Sequence, residues 1–290
     1  MTSNLARRIA FAVIAIPAVL VLGWTGGWPF VLLLSAAGAL GAREVYAFAR
    51  SQGLHPLTRF GMVSAAILPF IVRLTQVAGG EAVLLIREGY LFLAWLLVLL
   101  VIALSRRAPD QRPLGSIAVT LFGVLYASWL LSFALLLRHP LPGLAAQDRS
   151  VGLALLVYPL ALTWLGDTLA MAGGKTFGGP KLAPVISPNK TWAGGLSGLF
   201  GAVAVSLIYA AVVFRRVGVS MSAFEAIGIA ICLSLAGQLG DAVESLFKRE
   251  VGLKDSSALI PGHGGVLDRL DSLYFVLPAT ALLYRLAGIT

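Results

Sequence analysis

Apolar runs separated by short polar or Gly/Pro-containing breaks dominate the chain. A helix rises about 1.5 Å per residue, so roughly twenty apolar residues cross a bilayer. Nine runs approach that length: Ile9–Trp24, Pro29–Phe48, Phe60–Ala78, Tyr90–Ser105, Leu114–Leu137, Val151–Ala172, Ala193–Phe214, Phe224–Phe247 and Val266–Gly288. The first follows Arg7-Arg8 and resembles the apolar part of a signal peptide. A Gly26-Gly27 turn and an immediate second run favour a helical hairpin instead. The third run carries Pro69 and Arg73, and the fourth is short enough to need a further turn from Ala82–Gly89.

Composition agrees with the pattern. Hydrophobic residues make up 58% of the 290 and charged residues 12%, with a mean hydropathy of +0.89. Soluble domains contain roughly 45–50% apolar residues. The expected fold is an all-α polytopic membrane protein of about nine transmembrane helices, with no internal repeat. Residues 1–150 supply scaffold helices and 151–290 the catalytic region of one integrated membrane domain. The single cysteine, Cys232, sits in an apolar run, so no disulfide framework exists.

Charge orients the chain. With nine spans and a cytoplasmic N-terminus, fifteen Lys and Arg fall on the cytoplasmic side and six on the other, with Arg73 inside a span. This is the excess that cytoplasmic loops carry. The Arg215-Arg216 pair breaks the rule locally. All five lysines lie in two loops, 173–192 and 248–267, which this topology places together on the cytoplasmic face. The net charge of +9 suits anionic headgroups or phosphate-bearing substrates, and no nucleic-acid partner is expected.

The polar residues are concentrated. The stretch GQLGDAVESLFKREVGLKDSSALIPGHGGVLDRLD, residues 237–271, holds six of the thirteen acids: Asp241, Glu244, Glu250, Asp255, Asp268 and Asp271. It also holds Lys248, Arg249, Lys254, Arg269 and His263. Charge beside hydrocarbon is costly, so such a cluster points to a functional site more than to a merely wetted loop. Asp241, Glu244, Ser245 and Lys248 share a helix face, with Asp241 about 10 Å deeper than Lys248. Asp268 and Asp271 repeat the i+3 spacing after the flexible Gly262-His263-Gly264-Gly265 approach, where a helix N-terminus favours anions. The other loop, GGKTFGGPKLAPVISPNKTW, carries Lys175, Lys181 and Lys190 with no acid, and hydroxyls at Thr176, Ser187 and Thr191. Its glycines permit close approach to phosphate, but the Walker spacing is absent.

Carboxylates on facing helix ends suit a hard cation such as Mg²⁺, and no Cys/His cluster favours zinc. Carboxylates, lysines and Gly-rich turns together indicate phosphoryl or nucleotidyl transfer, in which positioning and charge neutralisation do most of the work. A phosphate monoester already carries nearly two charges, so no strong general base is needed. His263 then fits a hydrogen-bond donor to phosphate or base, or a residue that ties the loop down.

Ser245-Leu246-Phe247-Lys248-Arg249, Lys254-Asp255-Ser256-Ser257 and Pro261-Gly262-His263-Gly264-Gly265-Val266-Leu267-Asp268-Arg269-Leu270-Asp271 resemble the signature of the phosphatidate cytidylyltransferases (CDP-diacylglycerol synthases). Ser187-Pro188-Asn189-Lys190-Thr191-Trp192 and Gly166-Asp167-Thr168 resemble that family's upstream elements. Strong resemblance covers roughly the last 130 residues. It implies reaction of phosphatidate with CTP to CDP-diacylglycerol and pyrophosphate, with Mg²⁺ and K⁺, by a homodimer among membrane lipids. It also implies a bacterial inner (cytoplasmic) membrane location with the active site on the cytoplasmic side.

On the same resemblance Asp241 and Asp268 hold metal, supported by Glu244 and Asp271, and Asp167 either joins them or is a helix-end charge. Lys248, Arg249, Lys254 and Arg269 neutralise phosphates, with Asp241, Asp268, Lys248 and Arg249 as the catalytic group. Ser187, Lys190, Thr191, Lys175, Lys181, Asp255, His263, Gly264 and Gly265 complete substrate binding. Two positions depart from the family: Ala193 stands where Glu is common and Met171 where an aromatic is usual. Two other readings stand beside this one. The first is a cytidylyltransferase for another lipid phosphate, such as an ether lipid. The second is an ion transporter, motivated by Arg73, Asp167, Asp241 and Glu244; transporters usually hold such groups near the midplane, whereas most of these crowd one helix end.

Overall fold

A computed structural model describes residues 2–78, 81–140, 149–260, 262 and 264–289, with side chains described outside 2–12, 78 and 81–88. Helices α1 (Thr2–Thr25), α2 (Gly27–Ser51), α3 (Thr58–Ala78) and α4 (Glu81–Arg106) follow the first four apolar runs. The fourth begins at Glu81, so the short run does gain its extra turns. The fifth run folds as α5 (Pro113–Val124), a π turn (Leu125–Trp129) and α6 (Leu130–Arg138). Then come α7 (Arg149–Phe177), β1 (Lys181–Ala183), β2 (Ser187–Thr191), α8 (Trp192–Tyr209) with a second π turn (Ala210–Phe214), and α9 (Ala223–Glu250). The chain closes with α10 (Leu267–Leu270) and α11 (Leu273–Leu286).

Among the described residues seven helices are long and apolar enough to cross a bilayer, and Val13–Thr25 of α1 forms a shorter apolar helix. The chain is therefore an all-α polytopic membrane protein. The run Val266–Gly288 is not one continuous helix: it breaks between α10 and α11, at Asp271-Ser272. Loop 173–192 is also more ordered than its Gly/Pro content predicts. α7 takes in Lys175 and continues to Phe177, and the remainder forms the antiparallel β1–β2 hairpin, pairing Lys181 with Thr191 and Ala183 with Ser187.

The helices group into two compact units, Gly27–Leu135 and Met1–Gly26 with Leu136–Thr290, so α1 groups with the C-terminal helices. Within the first unit, buried Tyr46 donates its hydroxyl to Thr120 O at 2.9 Å, and Ser128 donates to Ala65 O at 2.7 Å.

The second unit carries the polar cluster. α7 and α8 pack through small residues, including Gly166 and Ala170 against Gly198 and Ala202. Such close approach is how helices associate where lipid is as apolar as the side chains. Pro159 interrupts α7 and removes the N–H that would have bonded Leu155 O. The Tyr284 hydroxyl of α11 donates to that carbonyl at 3.3 Å, so α11 repairs the gap the proline leaves. α9 opens with a capping box in which the Ser222 N–H donates to Glu225 Oε2 and the Glu225 N–H to Ser222 Oγ. Gly240 lets α9 approach the chain break closely, since a Cβ there would stand 2.5 Å from Asp271 O.

Candidate active site

Asp268 is the best-satisfied polar group of the cluster. Its Oδ2 accepts from Ser256 N (2.7 Å), Ser256 Oγ (2.7 Å) and Gly265 N (2.8 Å), and its Oδ1 accepts from Lys248 Nζ (2.7 Å). A carboxylate offers about four acceptor positions, so this one is saturated. Burial alone would push its carboxyl up, but the Gly265 N–H, the Lys248 ammonium and Ser256 outweigh burial and hold it below the usual carboxylate range. The loop between α9 and α10 is thereby wound around Asp268. Gly264 has φ +80° and sits so close to Asp268 Oδ2 that a side chain would collide with it, which is why glycine stands there.

Lys248 joins that loop to α9. Its buried Nζ lies 2.7 Å from Asp268 Oδ1 and 2.9 Å from Glu244 Oε2. It is thus part of the floor of the site, not of an exposed rim. Glu244 is wholly buried, and its Oε1 has no hydrogen-bond partner among the described residues. One turn deeper, Asp241 Oδ2 pairs with Lys190 Nζ at 2.5 Å, and Ser245 Oγ donates to Asp241 Oδ1 at 3.3 Å. Asp271 Oδ1 accepts from the N–H of Ser272 at 2.6 Å, within the break before α11. Asp167, on α7, is exposed and lies within electrostatic range of Asp241 and Asp271. The structure therefore brings all five predicted carboxylates to one end of the bundle, with Lys190 and Lys248 as their close cations. Among the described residues no three acidic, His or Cys side chains already form a ligand cage.

The hairpin carries Lys190 over α9. Thr191 Oγ1 accepts from Gly194 N at 3.1 Å as the cap of α8, so Thr191 shapes the entry to that helix. Arg249 reaches the other end of the hairpin: Nε donates to Ile186 O at 3.3 Å and a terminal nitrogen to Leu253 O at 2.9 Å. Lys175, Lys181, Lys254, Asp255 and Arg269 are exposed around this floor, Ser187 opens β2, and Gly265 is buried against Asp268. His263 lies outside the described residues.

Sequence reasoning did not assign Ser256, although its hydroxyl and N–H both serve Asp268. It also missed a cavity running from Asp167 into the bundle past Thr163, Ser234 and Gln238. Ser234 and Gln238, four apart on α9, and Thr163, four before Asp167 on α7, were the available signal.

The described residues thus join a polytopic membrane fold to five carboxylates, two close lysines and a lysine-bearing hairpin at one end of the helices. The cytidylyltransferase family pattern matches residues 6–287 of the chain. A phosphatidate cytidylyltransferase of Brucella abortus biovar 1 (strain 9-941) is 33% identical over 295 residues, covering 99% of this chain and 94% of that protein. Phosphatidate cytidylyltransferase 4, chloroplastic, of Arabidopsis thaliana is 32% identical over 301 residues, 94% of this chain and 71% of that protein. The phosphatidate cytidylyltransferase of Staphylococcus aureus (strain COL) is 48% identical over 137 residues, 47% of this chain, and that match spans about half (51%) of the relative's length. The chain belongs to the cytidylyltransferase family.

Proposed function

We propose that the protein is a phosphatidate cytidylyltransferase. A lipid phosphate oxygen attacks the α-phosphorus of CTP, the bond to the β-phosphate oxygen breaks, and CDP-diacylglycerol and pyrophosphate leave. The observation that carries this reading is the carboxylate cluster under a lysine-bearing hairpin at the end of apolar helices. A diacyl lipid can reach such a site without leaving the bilayer, while CTP enters from water. Extracting the lipid would cost tens of kcal/mol at about 0.8 kcal/mol per CH₂.

The donor set fits a hard divalent cation, and Mg²⁺ is proposed, with K⁺ as a second ion. The donors are carboxylate oxygens, acids outnumber the close lysines, and buried Glu244 Oε1 lacks a partner. Mg²⁺ characteristically takes one or two carboxylates and completes its shell with water and substrate phosphates, so no preformed cage is required. Asp241, Glu244, Asp271 and Asp167 would hold it, and Asp268 would join only by exchanging one of its four hydrogen bonds. When bound, the ion neutralises the triphosphate and the leaving pyrophosphate. Lys190, freed from Asp241, pairs with a CTP phosphate, and the exposed Lys175, Lys181, Lys254 and Arg269 raise the local concentration of the anionic nucleotide. Arg249 holds the hairpin over the site. Ser187, Thr191, Asp255, His263, Gly264 and Gly265 shape the surrounding loops.

The same reading places residues 151–290 as the catalytic region and 1–150 as scaffold. The N-terminus and the site face the cytoplasm across a bacterial inner membrane, and the working form is a homodimer. Purified protein supplied with CTP and Mg²⁺ should release pyrophosphate with phosphatidate and none with diacylglycerol. Equal release with diacylglycerol would reject the lipid phosphate as the attacking group.

A further inference from the structure

The end of the second unit away from the carboxylates holds a cavity of about 130 Å³, open at its mouth. Val151 and Leu155 of α7, the Val217–Ser220 turn, and Gly288 and Ile289 beyond α11 line it. Asp167 follows Arg149 by 18 residues along α7, so the two ends are about 27 Å apart along the helix axis, close to the hydrocarbon thickness. Side chains added at Gly218 or Gly288 would meet nothing within 4 Å, so the walls there are open.

Each segment around this cavity brings an arginine. Arg138 precedes Pro140 by two residues, Arg149 precedes Val151 by two, Arg215-Arg216 adjoin Val217, and Arg285 precedes Gly288 by three. Arg138 is buried and donates to the Gly23 and Trp24 carbonyls, fastening the end of α1. Arg149, Arg215, Arg216 and Arg285 are exposed. Glu225, the first acid after the Arg215-Arg216 pair, has its carboxylate engaged by the Ser222 N–H. The Arg215-Arg216 pair, which breaks the positive-inside pattern, belongs to this collar. It contains no lysine, and guanidinium groups favour the forked recognition of phosphate oxygens over simple charge neutralisation.

We propose that this arginine-collared cavity binds the phosphodiester headgroup of an anionic phospholipid in the leaflet opposite the carboxylate cluster. The occupant is a lipid and not a free phosphate because most lining side chains, among them Val151, Leu155, Val217, Val219 and Ile289, are apolar. Phe224 (88% exposed) and Leu286 (75% exposed), on α9 and α11 at the same end, also offer contacts for acyl chains. The assignment rests on this end of the bundle alone and is independent of the reaction carried out at the other.

Native mass spectrometry of the full-length protein in mild non-ionic detergent tests it, with phosphatidylglycerol, phosphatidylcholine and inorganic phosphate as probes. Wild type should retain phosphatidylglycerol about tenfold more strongly than phosphatidylcholine, equivalent to about 1.4 kcal/mol. Arg215→Gln/Arg216→Gln should reduce that preference to less than about threefold, whereas Lys190→Ala, on the opposite face, should keep it. Equal retention of the two lipids by wild type would overturn the proposal, as would a double variant with unchanged preference. Loss of the preference in Lys190→Ala would place the lipid at the carboxylate end instead. Displacement by inorganic phosphate at concentrations matching the lipid would mean that a bare anion is recognised and would overturn the lipid assignment. If the double variant does not fold, Arg149→Gln and Arg216→Gln should each lower the preference about threefold, and no change in either would also overturn it.

Discussion

Lys248→Met separates an architectural lysine from one that merely meets the substrate. The Lys248 ammonium is buried between Glu244 Oε2 at 2.9 Å and Asp268 Oδ1 at 2.7 Å. Methionine keeps most of the volume but leaves two buried carboxylates facing each other without a cation. Removing one partner of a buried ion pair costs about 3–5 kcal/mol, because the remaining charge stays desolvated. At roughly 2–4 °C per kcal/mol for a chain of this size class, the melting temperature should fall on the order of 10 °C. The damage should be local first: Ser256 and Gly265 donate to the same Asp268 carboxylate, so hydrogen exchange should rise across 251–266 before the apolar helices open. Adding Glu244→Gln should recover part of the loss, since one of the two stranded charges is then gone. A Lys248→Met protein with wild-type exchange in that loop and a melting temperature within about 2 °C of wild type would refute the architectural role.

Other perturbations probe different joints. Lys190→Ala should change stability by no more than about 1 kcal/mol, because the Lys190–Asp241 pair is partly exposed at 26% and 35%. It should nonetheless raise the apparent KM for CTP about tenfold, one lost charge-assisted contact, in steady-state kinetics. Gly240→Val should cost about 1–3 kcal/mol in thermal melts and depress turnover, because its side chain would drive Asp271 and the break before α11 away from α9. With Cys232 replaced by Ser, a cysteine at exposed Lys254 should react with an impermeant thiol reagent only from the cytoplasmic side and one at Arg216 only from the other; the reverse pattern would overturn the topology.

Much of the architecture was legible because hydrocarbon allows few solutions: apolar runs had to become helices, and their breaks fell where Gly, Pro and charge interrupt them. The joints were less legible. The break at Asp271-Ser272, where Gly240 of α9 comes close, sits inside a run apolar enough to read as one span. The β1–β2 hairpin was hidden by a Gly/Pro-rich composition that ordinarily marks an open loop. Motif spacing placed Asp241, Glu244, Lys248, Asp268 and Asp271 at one end of the bundle. It did not disclose that Asp268 spends both oxygens on Lys248 and its own loop, because two of the four donors are backbone N–H groups. Arg249 was legible as a phosphate ligand, but its hold on the hairpin through Ile186 O was not.

Attack of a lipid phosphate on the α-phosphorus of CTP puts both phosphates into one product, so a double-label product analysis decides the reaction. Purified protein would receive phosphatidate labelled in its phosphate and CTP carrying a distinguishable label on the α-phosphate. Attack by the lipid phosphate predicts a liponucleotide holding both labels in a one-to-one ratio, with unlabelled pyrophosphate released. A lipid product carrying only the CTP-derived label, or none formed while pyrophosphate still appears, would contradict it.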